Sequence, residues 1–500
     1  MEELFHNLAL GFSVAAHPTN LGLCLLGALV GTLIGVLPGI GPTATIAMLL
    51  PITFGLPPVG ALIMLAGIYY GAMYGGSTTA ILVNIPGEAA SVVTTLDGFQ
   101  MAKQGRAGAA LAIAALGSFF AGCVATVVVA ALGKPLTSVA LQFGPAEYFS
   151  LMVLGMVFAV VLAKGSVPKA ITMILVGLIL SMVGTDIETG QTRMTFGIIE
   201  LSDGIGFVGL AMGVFGFSEI MRNLEVAEQR ELVQKKVTGL MPTRKDIRDA
   251  TPAVIRGTLL GSLLGILPGG GTILSAFGSY TLEKKIAKDP SRFGKGAIEG
   301  VAGPESANNA ASQTSFIPLL TLGIPPNAVM ALMVGAMTIH GIVPGPQVMT
   351  KQPDLFWGLV ASMWLGNLML VIINLPLVGL WVRLLRVPYR LLFPMILVFC
   401  CIGIYTLNNT PFDVVMTGLF GLLGYWFIKH DLEPAPMLLG FVLGPLMEEN
   451  LRRAMLLARG DATVFLTRPI SAGLIALSAI LLIVAVLPMI RGKRDEVFVE

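Results

Sequence analysis

The stretch that decides the fold is "GVLPGIGPTATIAMLLP", Gly35 to Pro51. Its three prolines and three glycines lie inside an apolar run that begins near Leu21. Proline removes a backbone donor, and glycine costs about 1 kcal/mol in a helix interior. An otherwise membrane-length helix is therefore interrupted at its middle, and the interruption needs a reason.

Composition identifies the solvent. Hydrophobic residues make up 55% of the 500-residue chain and charged residues 12%, with a mean hydropathy of +0.83. Soluble domains carry roughly 25% charge, and repeated apolar runs of about 20 residues are long enough to cross a bilayer. The chain reads as a polytopic membrane protein. Its net charge of +2 and the lack of basic clusters interleaved with aromatics argue against nucleic acid. "MEELFHNLAL" is acidic at its start and has no basic n-region, so it reads as a short interfacial helix rather than a cleavable signal. Cys24, Cys123, Cys400 and Cys401 sit in apolar segments without metal-ligand spacing, which reads as buried thiols.

The broken stretch occurs twice. "LIGVLPGIGPT" at 33–43 returns as "LLGILPGGGTI" at 263–273, with Pro38 matching Pro268 at an offset of 230. "VGALIMLAG" at 59–67 then corresponds to "KGAIEGVAG" at 295–303, and "NIPGEA" at 84–89 to "GIPPNA" at 323–328, with Pro86 matching Pro325 at an offset of 239. Three motifs in order describe a tandem duplication. The first half spans 1–217, with a hairpin at 21–54, a broken crossing at 57–96 and scaffold helices within 107–217. A polar cytoplasmic connector covers 218–252. The second half spans 253–500, with a hairpin at 253–281, a broken crossing at 295–341, scaffold helices within 356–428 and a C-terminal segment at 437–500.

Loop charge sets orientation, since Lys and Arg mark cytoplasmic loops. "ITFGLPPVG", after the first hairpin, is uncharged, whereas its counterpart "LEKKIAKDPSRFGKG" is strongly basic. After the second motif the bias reverses: "DGFQMAKQGRAG" is basic and "GIVPGPQVMTKQPDLFW" is nearly neutral. Equivalent loops thus face opposite sides, which predicts an all-α fold of inverted repeats with re-entrant hairpins and discontinuous helices. The side of the C-terminus stays open. Irregular backbone at membrane depth persists only where protein or a water-filled cavity satisfies it, and secondary transporters place their sites at such breaks. A pair of Gly/Pro kinks that merely packs helices is the structural alternative.

The hydroxyls and amides around the breaks are the candidate site. The first tip offers Gly39, Gly41, Pro42, Thr43 and Thr45, and the second Gly269, Gly270, Gly271 and Thr272. "YGGSTTAILVNIPG" adds Ser77, Thr78, Thr79 and Asn84; "GPESANNAASQTSF" and "GIPPNA" add Ser306, Asn308, Asn309, Ser312, Gln313, Thr314 and Asn327. Neither tip holds Lys or Arg, so an anion there would meet backbone N–H groups, hydroxyls, amides and helix N-termini. Sodium would suit the carbonyls of the unwound turns, with Glu305, Thr79, Ser312 and Thr314 as coupling candidates for sodium or a proton. Glu305 is a functional candidate because carboxylates are costly in membrane segments, set against a helix cap or a rim position. No other metal or cofactor is called for. No P-loop, Ser elbow, zinc-type His-Glu helix or paired-carboxylate motif occurs, which argues against nucleotide binding and against an intramembrane enzyme. An anion channel would need a ring of charge, and none is found.

"GVLPGIGPTAT", "YGGSTTAILVNIPG" through "DGFQMAKQGRAG", "GILPGGGT" and "GIPPNAVMALM" resemble the large membrane subunit of the tripartite tricarboxylate transporters over roughly residues 15 to 450. The resemblance implies import of citrate or another di- or tricarboxylate across the bacterial inner membrane, driven by an ion gradient. It further implies a small membrane subunit and a periplasmic solute-binding protein as partners. It carries the expected site onto Pro38, Gly39, Gly41, Pro268, Gly269, Gly271, Pro86, Gly87, Pro325 and Pro326.

Overall fold

The computed structural model describes residues 2–37, 41–163, 166–186, 189–225, 239–267, 271–384 and 389–490. The first half runs through α1 (Glu2–Ala15), α2 (Pro18–Val36), α3 (Gly41–Thr53), α4 (Pro58–Val83), α5 (Val92–Lys103), α6 (Ala107–Ala140), α7 (Pro145–Leu162) and α8 (Val167–Ser181). A small hairpin, β1 (Gly184–Thr185) and β2 (Thr192–Arg193), precedes α9 (Phe207–Ala211), which continues through a π-helical turn at Met212–Phe217 into α10 (Ser218–Glu225). The second half begins with α11 (Arg244–Ile266), α12 (Gly271–Ile286), α13 (Glu299–Thr314), α14 (Phe316–Leu322) and α15 (Ala328–Ile339). It closes with α16 (Pro346–Lys351), α17 (Pro353–Asn374), α18 (Val378–Leu384), α19 (Tyr389–Asn408), α20 (Pro411–Lys429), α21 (Pro434–Leu457), α22 (Val464–Thr467) and α23 (Pro469–Ile490). Among the described residues, six helices are long and apolar enough to cross a membrane.

Several boundaries differ from the sequence reading. Within 107–217, read as scaffold helices, the chain leaves α-helix after Ser181: Phe196, Gly197 and Gly204 adopt positive φ, and α-helix resumes only at Phe207. α11 begins inside the segment read as connector, because Thr243 and Asp246 form a capping box there. α1 does more than skirt an interface. Gly11 packs on the backbone of Trp357, and Phe12 stacks on Trp364 at 5.8 Å.

One packing device recurs in both halves. Gly27, Gly31 and Gly35 press α2 onto the backbone of α4 at Met64, Ile68 and Ala72. Gly257, Gly261 and Gly265 press α11 onto α13 at Gly303, Ala307 and Ala311. The spacing of four brings each glycine to the same helix face, and small residues allow the backbone approach that drives helix association in a bilayer. The two ladders are offset by 230 residues and their partners by 239, as are the two proline motifs that follow. This corrects the register of 59–67 against 295–303, which differs by three residues from the packed one. α4 is buried nearly all round, so its apolar pattern carries no phase to fix the alignment.

In both pairs the second crossing starts beside the first helix and runs alongside it, since Asn20 and Leu23 meet Gly60 while Gly257 meets Gly303. α12 then folds back on α11, where Arg256 clamps Glu283 through two bonds of 2.8 and 2.6 Å. The two crossings pass each other antiparallel: Tyr70 meets Phe316 with ring centroids 6.3 Å apart, and Ser77 meets Glu305. The basic loops gather together. Gln104 donates to Lys295 O at 2.8 Å, Arg106 pairs with Asp246 at 2.5 Å, and Asp97 accepts from the N–H groups of Gly296 and Ala297.

Candidate functional site

Five of the sequence candidates, Pro38, Gly39, Pro268, Gly269 and Gly270, lie outside the described residues. The residues just after them match between halves. Gly41 and Gly271 open α3 and α12 with φ of 60° and 48°. Their carbonyls accept from Thr45 Oγ1 at 2.8 Å and Ser275 Oγ at 2.7 Å, again 230 residues apart. A left-handed residue is cheap only for glycine, which accounts for its presence at the start of both returning helices. Pro42 is buried, and Thr43 is half-buried with no side-chain hydrogen bond among the described residues.

The motifs after the crossings are also built alike. Asn84 ends α4 in a left-handed cap (φ 59°), as Gly323 ends α14 (φ 75°). Pro86 and Gly87, or Pro325 and Pro326, then turn the chain into a residue that caps the next helix. Glu88 accepts from Ala90 N at 2.7 Å, and Asn327 from Met330 N at 3.0 Å. Gly87 has no alternative, because a Cβ there would stand 1.9 Å from Gly35 O and 2.6 Å from Gly76 Cα. It seats the turn directly on the end of α2. Thr79 reinforces this contact by donating to Val36 O at 2.7 Å.

The polar side chains fall into two groups. The first surrounds Glu305, which is 1% exposed and so is neither at a rim nor, within α13, at a helix end. Ser77 Oγ donates to Glu305 Oε2 at 2.5 Å, and Thr94 Oγ1 donates to Oε1. Asn309 Nδ2 donates to Ser118 Oγ at 2.8 Å and to Glu305 O at 3.0 Å. One turn on, Asn308 Nδ2 donates to Glu88 Oε1 at 3.2 Å. A cavity of about 10 Å³, room for about one water, adjoins this group between Tyr74, Ser77, Thr78, Ser118 and Asn374. The second group lies around Tyr69, whose phenol faces Ser315, Asn327 and Thr272. Asn327 Nδ2 also donates to Ser315 Oγ at 3.2 Å. Tyr69 and Ser77 are eight residues apart on α4, about 12 Å of helix. The structure thus brings Ser77, Asn308, Asn309 and Glu305 together and places Thr272 with Asn327. Of the coupling candidates, Thr79, Ser312 and Thr314 spend their hydroxyls on the carbonyls of Val36, Asn309 and Ala310, and none bonds Glu305.

Sequence reasoning missed Glu88, Thr94 and Asp97. Glu88 stands inside the quoted motif "NIPGEA", where its pairing with Asn327 marks the carboxylate as the half-specific residue. α13 carries the densest buried polarity, with Glu305, Ser306, Asn308, Asn309, Ser312, Gln313 and Thr314 all inside. The side-chain atoms Ser306 Oγ, Asn308 Oδ1, Asn309 Oδ1 and both polar atoms of Gln313 have no partner among the described residues. Buried polar groups left unpaired cost roughly 1–3 kcal/mol each, which sets α13 apart from a helix that only packs against apolar neighbours.

Comparison with known proteins places this arrangement. The chain is 62% identical over 500 residues to an "Uncharacterized 52.8 kDa protein in TAR-I ttuC' 3'region" of Agrobacterium vitis, covering all of both chains. It is 65% identical over 240 residues to an "Uncharacterized protein in TAR-II ttuC' 3'region" of the same organism, covering 48% of this chain and 99% of that one. No solved structure matches. Residues 21–439, which hold both glycine ladders, both Pro-Gly breaks and the buried polar helix, match the family described as "Tripartite tricarboxylate transporter TctA family". This multi-pass protein of the inner membrane belongs to the tripartite tricarboxylate transporter TctA family.

Proposed function

We propose that the chain is a secondary active transporter that imports citrate or another di- or tricarboxylate, driven by a cation gradient. Family membership implies a tripartite assembly, with a small membrane subunit and a periplasmic binding protein that delivers the substrate. The observation that carries the reading is the duplicated break: two helix pairs with the same glycine ladder, the same left-handed glycine and the same proline turn, meeting at a buried polar helix. A kink that only packs helices does not require seven buried polar side chains on α13.

The antiparallel meeting of α4 with α13 and α14, and the return of α12 along α11, support an inverted repeat of re-entrant hairpins. Inverted repeats with interrupted helices place their sites at the repeat interface. In this reading α2–α5 and α11–α15 form a mobile unit that moves against a scaffold drawn from α6–α8 and α17–α20, in an elevator-type cycle. Cross-links between a cysteine in α3 and one in α19 would test it: distances unchanged between the two access states would defeat the moving-unit mechanism. The function itself is tested by uptake of radiolabelled carboxylates into proteoliposomes, with the small subunit and binding protein present and a cation gradient imposed. Accumulation that collapses with the gradient is expected. Chemical conversion of the carboxylate, or passive flux insensitive to the gradient, would instead favour an enzyme or a channel.

A further inference from the structure

Glu88 and Glu305 come from different halves of the chain, yet they flank the same turn of α4. Glu88 Cγ is the atom a Cβ on Gly76 would meet, at 2.9 Å, and the next residue, Ser77, bonds Glu305. On α13, the partner of Glu88 is Asn308, three residues from Glu305, a spacing that puts Cβ atoms about 5–6 Å apart. Both carboxylates are buried, at 7% and 1% exposure. Among the described residues no Lys or Arg forms an ion pair with either, and Arg256 is committed to Glu283.

Each carboxylate already accepts from protein donors, Glu305 from Ser77 and Thr94 and Glu88 from Ala90 N and Asn308. Charged oxygens accept such bonds, and a buried carboxylate without a basic partner must be matched by a bound cation or neutralised by a proton. The neighbouring unpaired atoms are oxygens. Asn308, 1% exposed, has its amide nitrogen on Glu88, so its partnerless Oδ1 is fixed beside that carboxylate; Asn309 Oδ1 lies one residue on. Carboxylate, amide and hydroxyl oxygens form a hard donor set.

We infer that Glu88, Glu305 and Asn308 build a sodium site across the interface between the two halves. This rests on the transport reading, in which the site would hold the coupling ion. Because the site takes one residue set from each half, sodium would tie the crossings together before the substrate is carried.

Thermal unfolding of the purified full-length protein, with sodium exchanged for choline at constant ionic strength and pH, tests the site without any transport. Sodium should stabilise the protein saturably, following the linkage of ligand to folded state. Glu88→Gln and Glu305→Gln keep size and shape and should each shift the sodium titration by about tenfold or more, while Glu299→Gln, on the exposed pair with Arg292, should not. Should the Gln variants fail to fold, equilibrium binding of radioactive sodium to the wild-type protein decides. No saturable sodium effect on the wild type, unchanged titrations in both folded variants, or stabilisation by acid alone would each overturn the site. Intact sodium binding without carboxylate uptake would instead sink the transport reading and leave the site standing.

Discussion

Replacing one rung of each glycine ladder gives a sharp test of the duplicated packing. An ideal Cβ on Gly31 stands 2.4 Å from Ile68 O, and one on Gly261 stands 2.1 Å from Ala307 O, against an ordinary contact of 3.4–4 Å. The atoms met are backbone, so no side chain can rotate away. α2 must part from α4, or α11 from α13, by about 1 Å. Overpacking of this kind costs about 1–3 kcal/mol, with the upper end expected here, and the better helix propensity of alanine returns about 1 kcal/mol. A Cβ on Gly22 meets nothing within 4 Å, so Gly22→Ala should gain that propensity without the clash. In a chain this long, 1 kcal/mol moves the melting temperature by roughly 1–2 °C. Gly31→Ala and Gly261→Ala should therefore both melt a few degrees below Gly22→Ala when purified protein is heated at one scan rate. Ladder variants that melt with or above Gly22→Ala would refute the backbone contact. A loss confined to one half would refute the equivalence of the two pairs.

Arg256→Ala strips the partner from Glu283, which is 2% exposed. Breaking a buried pair costs about 3–5 kcal/mol, moderated here because Arg256 itself reaches solvent. Melting should show the loss, and adding Glu283→Gln should recover part of it; no recovery would mean the charge was not the cause. Thr272→Ala and Thr43→Ala should each leave expression intact and weaken apparent carboxylate affinity about tenfold to a hundredfold, from roughly 1–3 kcal/mol of lost hydrogen bonding. Wild-type affinities in both variants would remove the tips from the site. Gly87→Ala should abolish uptake at normal temperature even where protein is recovered, since its Cβ would strike Gly35 O and displace the turn that carries Glu88; uptake at the wild-type rate would show that the turn tolerates the shift.

The interruption at 35–51 and its recurrence were legible because glycine and proline act on the backbone alone, and their consequences reappear at Gly41 and Gly271 whatever surrounds them. Glu305 was legible because a carboxylate in an apolar segment stands out against its neighbours. Phase was not. α4 and α13 are buried on every face, so apolar and small residues occur at all angles, and a shift of three residues alters no pattern. Glu88 escaped notice because its motif reads as a turn; only the fold shows that the turn lands on Gly76 and under Asn308. Thr94 and Asp97 follow in a segment whose polarity looks like a solvated helix, yet they bond Glu305 and the backbone of Gly296 and Ala297.

The pairing across the two halves creates two different side-chain environments rather than two copies of one. The cap residue of each turn faces the crossing of the other half: Glu88 meets Asn308, and Asn327 meets Tyr69. These two pairs are related by the same offset of 239 residues, so the frame is shared and only the side chains have diverged. One exchange places a carboxylate against an amide, with a second carboxylate a turn away. The other places an amide against a phenol, beside Thr272 at the start of α12 and without a charge of its own. An anion and a cation impose opposite demands on their surroundings. Neutral amides and hydroxyls suit the first, while carboxylates suit the second. Both centres lie on α4, about 12 Å apart, and Tyr69 lies within the field of Glu88. A cation taken up between Glu88 and Glu305 would therefore relieve the negative potential that an arriving carboxylate must overcome near Tyr69 and Thr272. On this geometry the two ligands would assist each other through charge, and each should raise the other's affinity by the same factor.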